Sequence, residues 1–363
     1  MYSKLLICCL IIVSGCTNGE DILKIELDLQ NKNAATPELR STKIIRLEKN
    51  DQSLIGEITK VEYLDNKYYV LDIRKQVFES LGNFIKKTKH GRGPGEVISP
   101  WCSTVDESRG HVLLWDQVLR RMSTYNLQLD YLDSYTNRNT SIWDFEIFSN
   151  ESILTYTQNI DLSDSSTNKA YNYYYLKDSS GLSRSSYLPG DINLGNYLLR
   201  SPICKHGNRM LLITPFDFNI YSFEEEVLSP HIQVDFGQFK LDASMIERYG
   251  YEYHSLVEDD SKIVAMDYLM FSDQFLGFSY FQDGKRQFII YNFSNSEIYY
   301  SQVLFDYGVL PEIKLQCLHG DNFIGFIDAG MYIEAAKANP SPFYTILDPD
   351  LNDNPYIISF SVR

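Results

Sequence analysis

The sequence predicts an all-β fold, a six-bladed β-propeller with short helical excursions between its strands, and three observations carry that expectation. Tyr68-Tyr69-Val70-Leu71-Asp72 returns 44 residues later as Val112-Leu113-Leu114-Trp115-Asp116, and Phe78 with Met122 and Leu81 with Tyr125 fall at the same offset. A four-stranded blade with its turns occupies roughly 40 to 50 residues, so this is the rhythm of one blade following another. Further apolar runs in the same role lie at 152–156, 210–214, 275–279 and 323–327, which brings the count to six. Helical pattern, by contrast, is confined to two short stretches: 243–249, with Asp242 as N-cap and Gly250 just past its end, and 329–338, stopped by Asn339-Pro340.

Taken from the N-terminus, residues 1–4 carry one lysine, Lys4, and 5–13 form an almost unbroken apolar run. A basic start and a short apolar stretch make a signal peptide over 1–15. The run is too short to cross a bilayer as a helix, which needs about 20 apolar residues. Val13-Ser14-Gly15-Cys16 follows directly and matches the lipobox of bacterial lipoproteins, in which the cysteine is acylated and becomes the first residue. More than one acyl chain on Cys16 gives stable membrane attachment. The expected domains are therefore the signal peptide at 1–15, a lipidated tether at 16–41 and the propeller at 42–363. The one departure inside the tether is the apolar alternation at 22–29, which reads either as an extra strand or as plain tether.

In the later blades, the repeat strands are each followed by a second β-rich run, at 173–176, 218–223, 287–291 and 343–347. Tyr, Phe, Ile and Val dominate these runs, as half-buried pleated surfaces require, and Gly82-Asn83, Gly207-Asn208 and Asp283-Gly284 provide turns between strands. A ring of blades has to be closed. The apolar run 356–362 is expected to do this by pairing with a strand near 43–47, so that neither chain end leaves an open edge.

The charge balance is acidic, 33 Lys and Arg against 48 Asp and Glu, a net −15 with His neutral. Such a surface repels phosphate backbones, which argues against nucleic acid as a partner. Past Cys16 only Cys102, Cys204 and Cys317 remain, each in an apolar stretch, and they read as buried free thiols.

His90-Gly91-Arg92-Gly93-Pro94-Gly95-Glu96 concentrates three glycines and a proline in five residues. That composition suits a tight crossing between blades, with Glu96 accepting local backbone or Arg92 hydrogen bonds; exposed amides helped by Arg92 could also cradle an anion. Neither a Walker loop nor the dinucleotide spacing is present. This loop, together with Leu54-Ile55-Gly56-Glu57-Ile58, the strand ending Val70-Leu71-Asp72 and the ending Asp353-Asn354-Pro355-Tyr356-Ile357-Ile358, resembles the six-bladed β-propeller lipoproteins common in Bacteroidetes. The resemblance spans nearly all of the mature chain and implies the fold and export. It supplies no catalytic residues to carry over.

Two tyrosine clusters stand out. In Tyr171-Tyr173-Tyr174-Tyr175 strand alternation puts Tyr171, Tyr173 and Tyr175 on one face, where packing between sheets is the leading reading. Tyr249, Tyr251 and Tyr253 lie in an excursion between strands and, with Arg92, are the candidate ligand contacts. The six histidines show no paired metal spacing, and 348–359 fails the calcium-loop pattern at its glycine and its last ligand. No Ser-His-Asp order or nucleophile-elbow motif appears. Asp72 and Asp116 close equivalent strands, and such recurring carboxylates cap turns. No catalytic residue, metal or cofactor is expected.

The function this supports is a binding or scaffold module lipid-anchored at the bacterial outer membrane or cell envelope, its periplasmic or surface side left open. The ligand would be a peptide, a glycan or a protein partner. The alternative is a propeller enzyme, a hydrolase or lyase, with its site at the central channel mouth. Clustered His and carboxylates at that mouth would favour the enzyme, exposed aromatics the binding module.

Overall fold

The structure is a computed structural model that describes residues 22–30, 39–137, 141–149, 152–157, 170–176, 183–190, 199–241, 261–301, 313–338, 346 and 348–362. Two N-terminal strands, β1 (Leu23–Glu26) and β2 (Leu39–Arg46), precede a series of antiparallel meanders. The first meander is β3 (Lys60–Leu64), β4 (Lys67–Leu71), β5 (Lys75–Glu79) and β6 (Phe84–Lys87). A two-stranded parallel pair, β7 (Lys89–His90) and β8 (Glu96–Val97), leads to the second, β9 (Pro100–Asp106), β10 (His111–Asp116), β11 (Arg121–Asn126) and β12 (Tyr131–Thr136). The third is β13 (Asp144–Ser149), β14 (Ser152–Tyr156), β15 (Ala170–Leu176) and β16 (Ser183–Gly190). The fourth is β17 (Ile203–His206), β18 (Arg209–Leu212), β19 (Asn219–Glu224) and β20 (Val227–Asp235). The fifth is β21 (Met266–Phe271), β22 (Phe275–Gln282), β23 (Lys285–Asn292) and β24 (Glu297–Tyr300). Last come β25 (Lys314–His319), β26 (Asn322–Ile327), the helix α1 (Ala329–Ala338) and β27 (Tyr356–Val362).

The chain is all-β in a β-propeller arrangement. The first strands β3, β9, β13, β17, β21 and β25 neighbour one another in that order, and β25 returns to β3. Five of the sheets around this circuit have four strands. The sheet of β17–β20 departs from that pattern because β1 lies on its outer edge, parallel to β20, with Leu23 opposite Ile232 and Glu26 opposite Asp235.

All six repeat runs found in the sequence fall on second strands, β4, β10, β14, β18, β22 and β26. The reason is burial: a second strand is covered by neighbouring sheets on both faces, so it carries the densest apolar signal. Val70, Leu114, Leu154, Leu211 and Leu276 are all fully buried. The apolar residues form clusters layered between successive sheets, such as Val77 and Val112 between the first two and Phe323 with Phe275 between the last two. The centre of the ring is left to polar groups.

Closure occurs as expected. β27 pairs antiparallel with β2, placing Ile44 opposite Ile358 and Ile45 opposite Ile357. Asn354, just before β27 and 2% exposed, ties the seam: its Nδ2 donates to the Glu48 and Ser53 carbonyls at 2.7 and 2.9 Å, and its Oδ1 accepts from the Ile55 amide at 3.0 Å. Asp353 accepts from Arg46 at 2.8 Å and from the Tyr356 hydroxyl at 2.6 Å. The Asp-Asn-Pro ending and the Leu-Ile-Gly-Glu-Ile run thus meet across the closing seam.

Three sequence expectations need correction. The segment 16–41 is not all tether, because β1 and the start of β2 belong to the sheets, and Ile25, Leu27 and Leu29 are buried at 2, 8 and 5% exposure. Leu81 and Tyr125 are not equivalent: Tyr125 is buried in β11, whereas Leu81 sits 80% exposed in a turn beside Gly82. The third strand of the last sheet is β27, not 343–347, of which only residue 346 is described, outside any strand. The helix at 329–338 is present, capped inward by Tyr332, which is fully buried against Tyr356. The other helical candidate, 243–249, lies outside the described residues.

Candidate functional site

The first strands run in a common sense, so the central channel has two unlike ends. At the far ends of β3, β9, β13, β17 and β25 it opens into a cavity of about 460 Å³ lined by Glu62, Thr104, Glu146, Lys205, Cys317 and His319 among others. At their near ends it narrows to about 20 Å³ between Trp101, Trp143, Lys60, Asp144 and Arg200, room for a single water. The wide end is called the mouth below.

Glu62, Thr104 and Glu146 stand on the first strands of three successive sheets, and Thr104 and Glu146 are 42 residues apart, as are Glu62 and Thr104. On a strand, alternate residues share a face, so Lys60 and Glu62, like Asp144 and Glu146, turn to the axis while Val61 and Phe145 pack between sheets. The Thr104 hydroxyl donates to Glu146 at 2.9 Å. Glu62 accepts from the Lys75 ammonium at 2.6 Å, the Ser103 hydroxyl at 3.1 Å and the Val105 amide at 2.9 Å. Lys75, a third-strand residue with no exposure, reaches inward between two sheets and also donates to Ser103 at 2.8 Å and the Tyr69 carbonyl at 3.3 Å.

Electrostatics separates the two glutamates. Burial works against ionising Glu62, yet the Lys75 and Lys60 ammonium groups outweigh it and hold its carboxyl below the usual range. Burial dominates at Glu146 and pushes its carboxyl up, with Lys60 opposing only in part. Lys60 itself, 3.6 Å from Asp144, is held charged: burial disfavours the cation, but Asp144, Glu62 and Glu146 together raise it. Glu146 faces the cavity with only the Thr104 hydroxyl and the Ile147 amide as donors, and no cation pairs with it among the described residues. Lys205 shares the cavity and donates to the Ile147 carbonyl at 2.7 Å.

Carboxylates outnumber cations in the lining of this cavity, Glu62, Asp106, Glu107 and Glu146 against Lys205. Among the described first hairpin turns, Asp65, Glu107, Asp273 and Asp321 are exposed, and Asp273 stands 3.3 Å from His206. None of these residues was singled out from the sequence. The available signal was the charged-apolar alternation Lys60-Val61-Glu62 and Asp144-Phe145-Glu146, one strand before the repeat runs.

The mouth brings His319 together with the carboxylates of Glu62, Asp106, Glu107 and Glu146, the gathering expected of the enzyme alternative, and Cys317 lines it as well. Burial, then the nearby Glu62 charge, pushes the Cys317 thiol up to about 12, the opposite of what a nucleophilic thiolate needs. The His319 ring packs edge-on against Tyr63 at 5.0 Å. Among the described residues, no group of three His, Cys, Asp or Glu side chains is disposed to hold a metal, and none of the three cysteines in the fold is paired.

The residues chosen from the sequence lie elsewhere. Arg92 is exposed at the crossing before β9, on the face opposite the mouth. Its loop is folded onto the Glu96 carboxylate, which accepts from the Gly93 amide at 2.7 Å, while Gly91 donates to the Val97 carbonyl at 3.0 Å. Those amides are committed inward, so the loop acts as a crossing and not as an anion cradle. Gly91 has φ +150° and Gly95 φ +69°, backbone that side chains rarely adopt, and a Cβ at Gly95 would run into Tyr131, which explains these two glycines. Arg121 of β11 clamps the loop through the Gly93 carbonyl at 3.0 Å and the Glu96 carbonyl. Asp72 and Asp116 cap turns: Asp72 accepts from the Gly56 and Arg74 amides at 2.8 Å each, Asp116 from Ile98 and Leu119 at 2.6 and 2.8 Å. Cys16, Tyr249, Tyr251 and Tyr253 lie outside the described residues.

Comparison with solved structures finds the same fold in two Bacteroides proteins. A Bacteroides fragilis protein described as a "Putative exported protein" superposes with a TM-score of 0.78 at 16% identity, over 94% of this chain and 99% of that one. A member of the duf4221 family from Bacteroides vulgatus superposes with a TM-score of 0.55 at 11% identity, over 92% of this chain and 99% of that one. Comparison with curated proteins finds no match. The family model described as "Domain of unknown function (DUF4934)" matches residues 28–361, from the end of β1 to the end of β27, and the chain belongs to that family.

Proposed function

We propose that this protein is an exported lipoprotein, anchored through Cys16 at the cell envelope, whose six-bladed propeller binds a basic peptide segment of a protein partner at its mouth. The observation that carries the reading is the charge pattern there: the carboxylates of Glu62, Asp106, Glu107 and Glu146 line the cavity against the single lysine Lys205, and Glu146 is bonded only to the Thr104 hydroxyl and the Ile147 amide. A rim of one sign steers an oppositely charged segment, and a partly buried carboxylate gains most from a cation that replaces its lost water. The sixth blade is the β17–β20 sheet, with β1 as an added edge. Support for export comes from the signal-peptide pattern and lipobox at 1–16 and from the similar Bacteroides fragilis fold.

The test is binding of a fluorescent Lys/Arg-rich nonapeptide, its Glu-rich counterpart and a neutral glycan to the purified protein. The basic peptide should bind saturably and lose affinity with added salt. Glu146→Gln should weaken it about tenfold, the worth of one charge-assisted hydrogen bond. Equal binding of basic and acidic peptides, or an unchanged affinity in Glu146→Gln, refutes the reading. The anchor is tested by fatty-acid labelling, which Cys16→Ala should abolish together with membrane retention.

A further inference from the structure

The face opposite the mouth differs from it in chemistry as well as in width. β3 and β9 run toward the mouth, since Lys60 and Trp101 near their starts line the narrow end while Leu64 and Asp106 at their ends line the mouth. β4 and β10 return antiparallel, so the turns that follow them lie on the opposite face. The capping aspartates Asp72 and Asp116 hold these two turns from within and leave Ile73 and Val118 outward, each more than half exposed. The two apolar tips belong to neighbouring sheets.

Cations surround them. Arg74 follows Ile73, Lys87 closes β6, and Lys89 and Arg92 sit on the crossing that joins the two sheets. Among the described residues none of these four forms an ion pair, although Asp and Glu outnumber Lys and Arg by 48 to 33 in the chain. The neighbouring carboxylates are already engaged: Asp72 and Asp116 accept from turn amides, and Glu96 accepts from the Gly93 amide. Partial burial and then the Arg74 guanidinium pull the Lys87 ammonium below its usual range, with Asp72 opposing, so two like charges are held together with incomplete compensation.

The surface that matches this sector is anionic, extended and able to take apolar side chains. Projecting apolar tips ringed by cations seat a protein at a lipid interface. The lipid is also at hand. Leu23 stands seven positions after Cys16, at most about 25 Å of extended chain, which leaves either face free to turn to the membrane. The acidic mouth does not oppose the contact: β4 and β10 hold 5 and 6 residues, about 17–20 Å at roughly 3.3 Å per residue, and salt at about 0.1 M screens charge over about 10 Å.

We infer that the sector around Ile73 and Val118 docks on anionic headgroups of the membrane that holds the anchor, its four cations contacting phosphate and its two tips entering the interface. The mouth is then turned away from that membrane, toward partners in the compartment beyond it. Which membrane is meant rests on the reading of Cys16; the affinity for anionic lipid rests on the sector alone.

The experiment uses the mature chain from Cys16, prepared without its acyl groups, and sedimentation with vesicles of phosphatidylcholine alone or with roughly one-third phosphatidylglycerol. The protein should bind the anionic vesicles only, and less as salt is added. Lys89→Gln with Arg92→Gln should weaken binding about 25-fold, about fivefold for each cation removed from the contact. Ile73→Ser with Val118→Ser should weaken it several-fold, with circular dichroism confirming the fold of both double variants. Lys24→Gln with Lys43→Gln, two exposed cations outside the sector, should change it less than about twofold. Equal binding to both vesicles, or equal losses in the two cation variants, overturns the inference. Saturable binding of polyglutamate without binding to anionic vesicles assigns the sector to an acidic protein and overturns it too. Failure of the acylated protein to stay on pure phosphatidylcholine overturns the anchor, and with it the choice of membrane, while the affinity for anionic lipid stands.

Discussion

Replacing Asn354 by Ala should be among the most damaging single changes outside the apolar layers. Asn354 makes three hydrogen bonds across the closing seam and is 2% exposed. Its removal leaves the Ile55 amide and the Ser53 carbonyl without their partner, whereas the Glu48 carbonyl keeps the Ser53 hydroxyl at 2.8 Å. Orphaning a buried backbone group costs about 1–3 kcal/mol, and the third lost bond adds about 1 kcal/mol, so the expected loss is about 3–7 kcal/mol. The same bonds join residues about 300 positions apart, so the loss falls on ring closure and on the cooperativity of the whole domain. Asn354→Asp keeps the acceptor for Ile55 but sets a carboxylate against two carbonyl oxygens, and should do no better than Ala. Urea unfolding followed by tyrosine and tryptophan fluorescence measures both variants. A loss below about 1 kcal/mol in Asn354→Ala would show that the seam is held by strand pairing alone.

Truncation after Pro355 removes β27, strips β26 and β2 of their partner and should abolish cooperative unfolding; an unchanged melting temperature and protease resistance would reduce β27 to a peripheral edge. Glu62→Gln leaves the Lys75 ammonium buried without its counter-charge and should cost about 3 kcal/mol at neutral pH. Because the folded Glu62 carboxyl lies below its unfolded value, its stabilisation is present above that value and is lost as pH falls through the folded one, so the acid limb of the stability profile should be steeper in the parent than in Glu62→Gln. Glu146 has the opposite sign: its raised carboxyl costs stability as pH climbs from the unfolded value through the folded one. Glu146→Gln should therefore be at least as stable as the parent at pH 8 and equal to it near pH 4, measured by urea midpoints, while losing peptide affinity. A variant less stable at pH 8 would mean that the carboxylate is structural and not held for a ligand.

Much of the fold was legible in the sequence because a second strand, covered on both faces, has to be apolar along its whole length. That constraint made all six repeat runs visible at once, and the same logic of leaving no open edge foretold the pairing of 356–362 with the strand at 43–47. Asn339-Pro340 after an Ala-rich run was enough for α1. The mouth was not legible. Glu62, Thr104 and Glu146 are ordinary polar residues one to a strand, and only ring closure turns three single residues into a neighbouring set; Lys75 belongs to a third strand whose side chain reaches the axis between sheets, which no spacing rule anticipates. The residues that composition made conspicuous, the glycine loop with Arg92, answer to a crossing that folds onto Glu96. The direction of β1 was likewise beyond the sequence, because alternation at 22–29 says which side chains are buried but not whether the strand lies parallel or antiparallel to its neighbour. Local chemistry therefore determined the strands and the closing seam, while the charges that meet at the mouth, and the sheet that takes up β1, were decided by contacts between residues far apart in the chain.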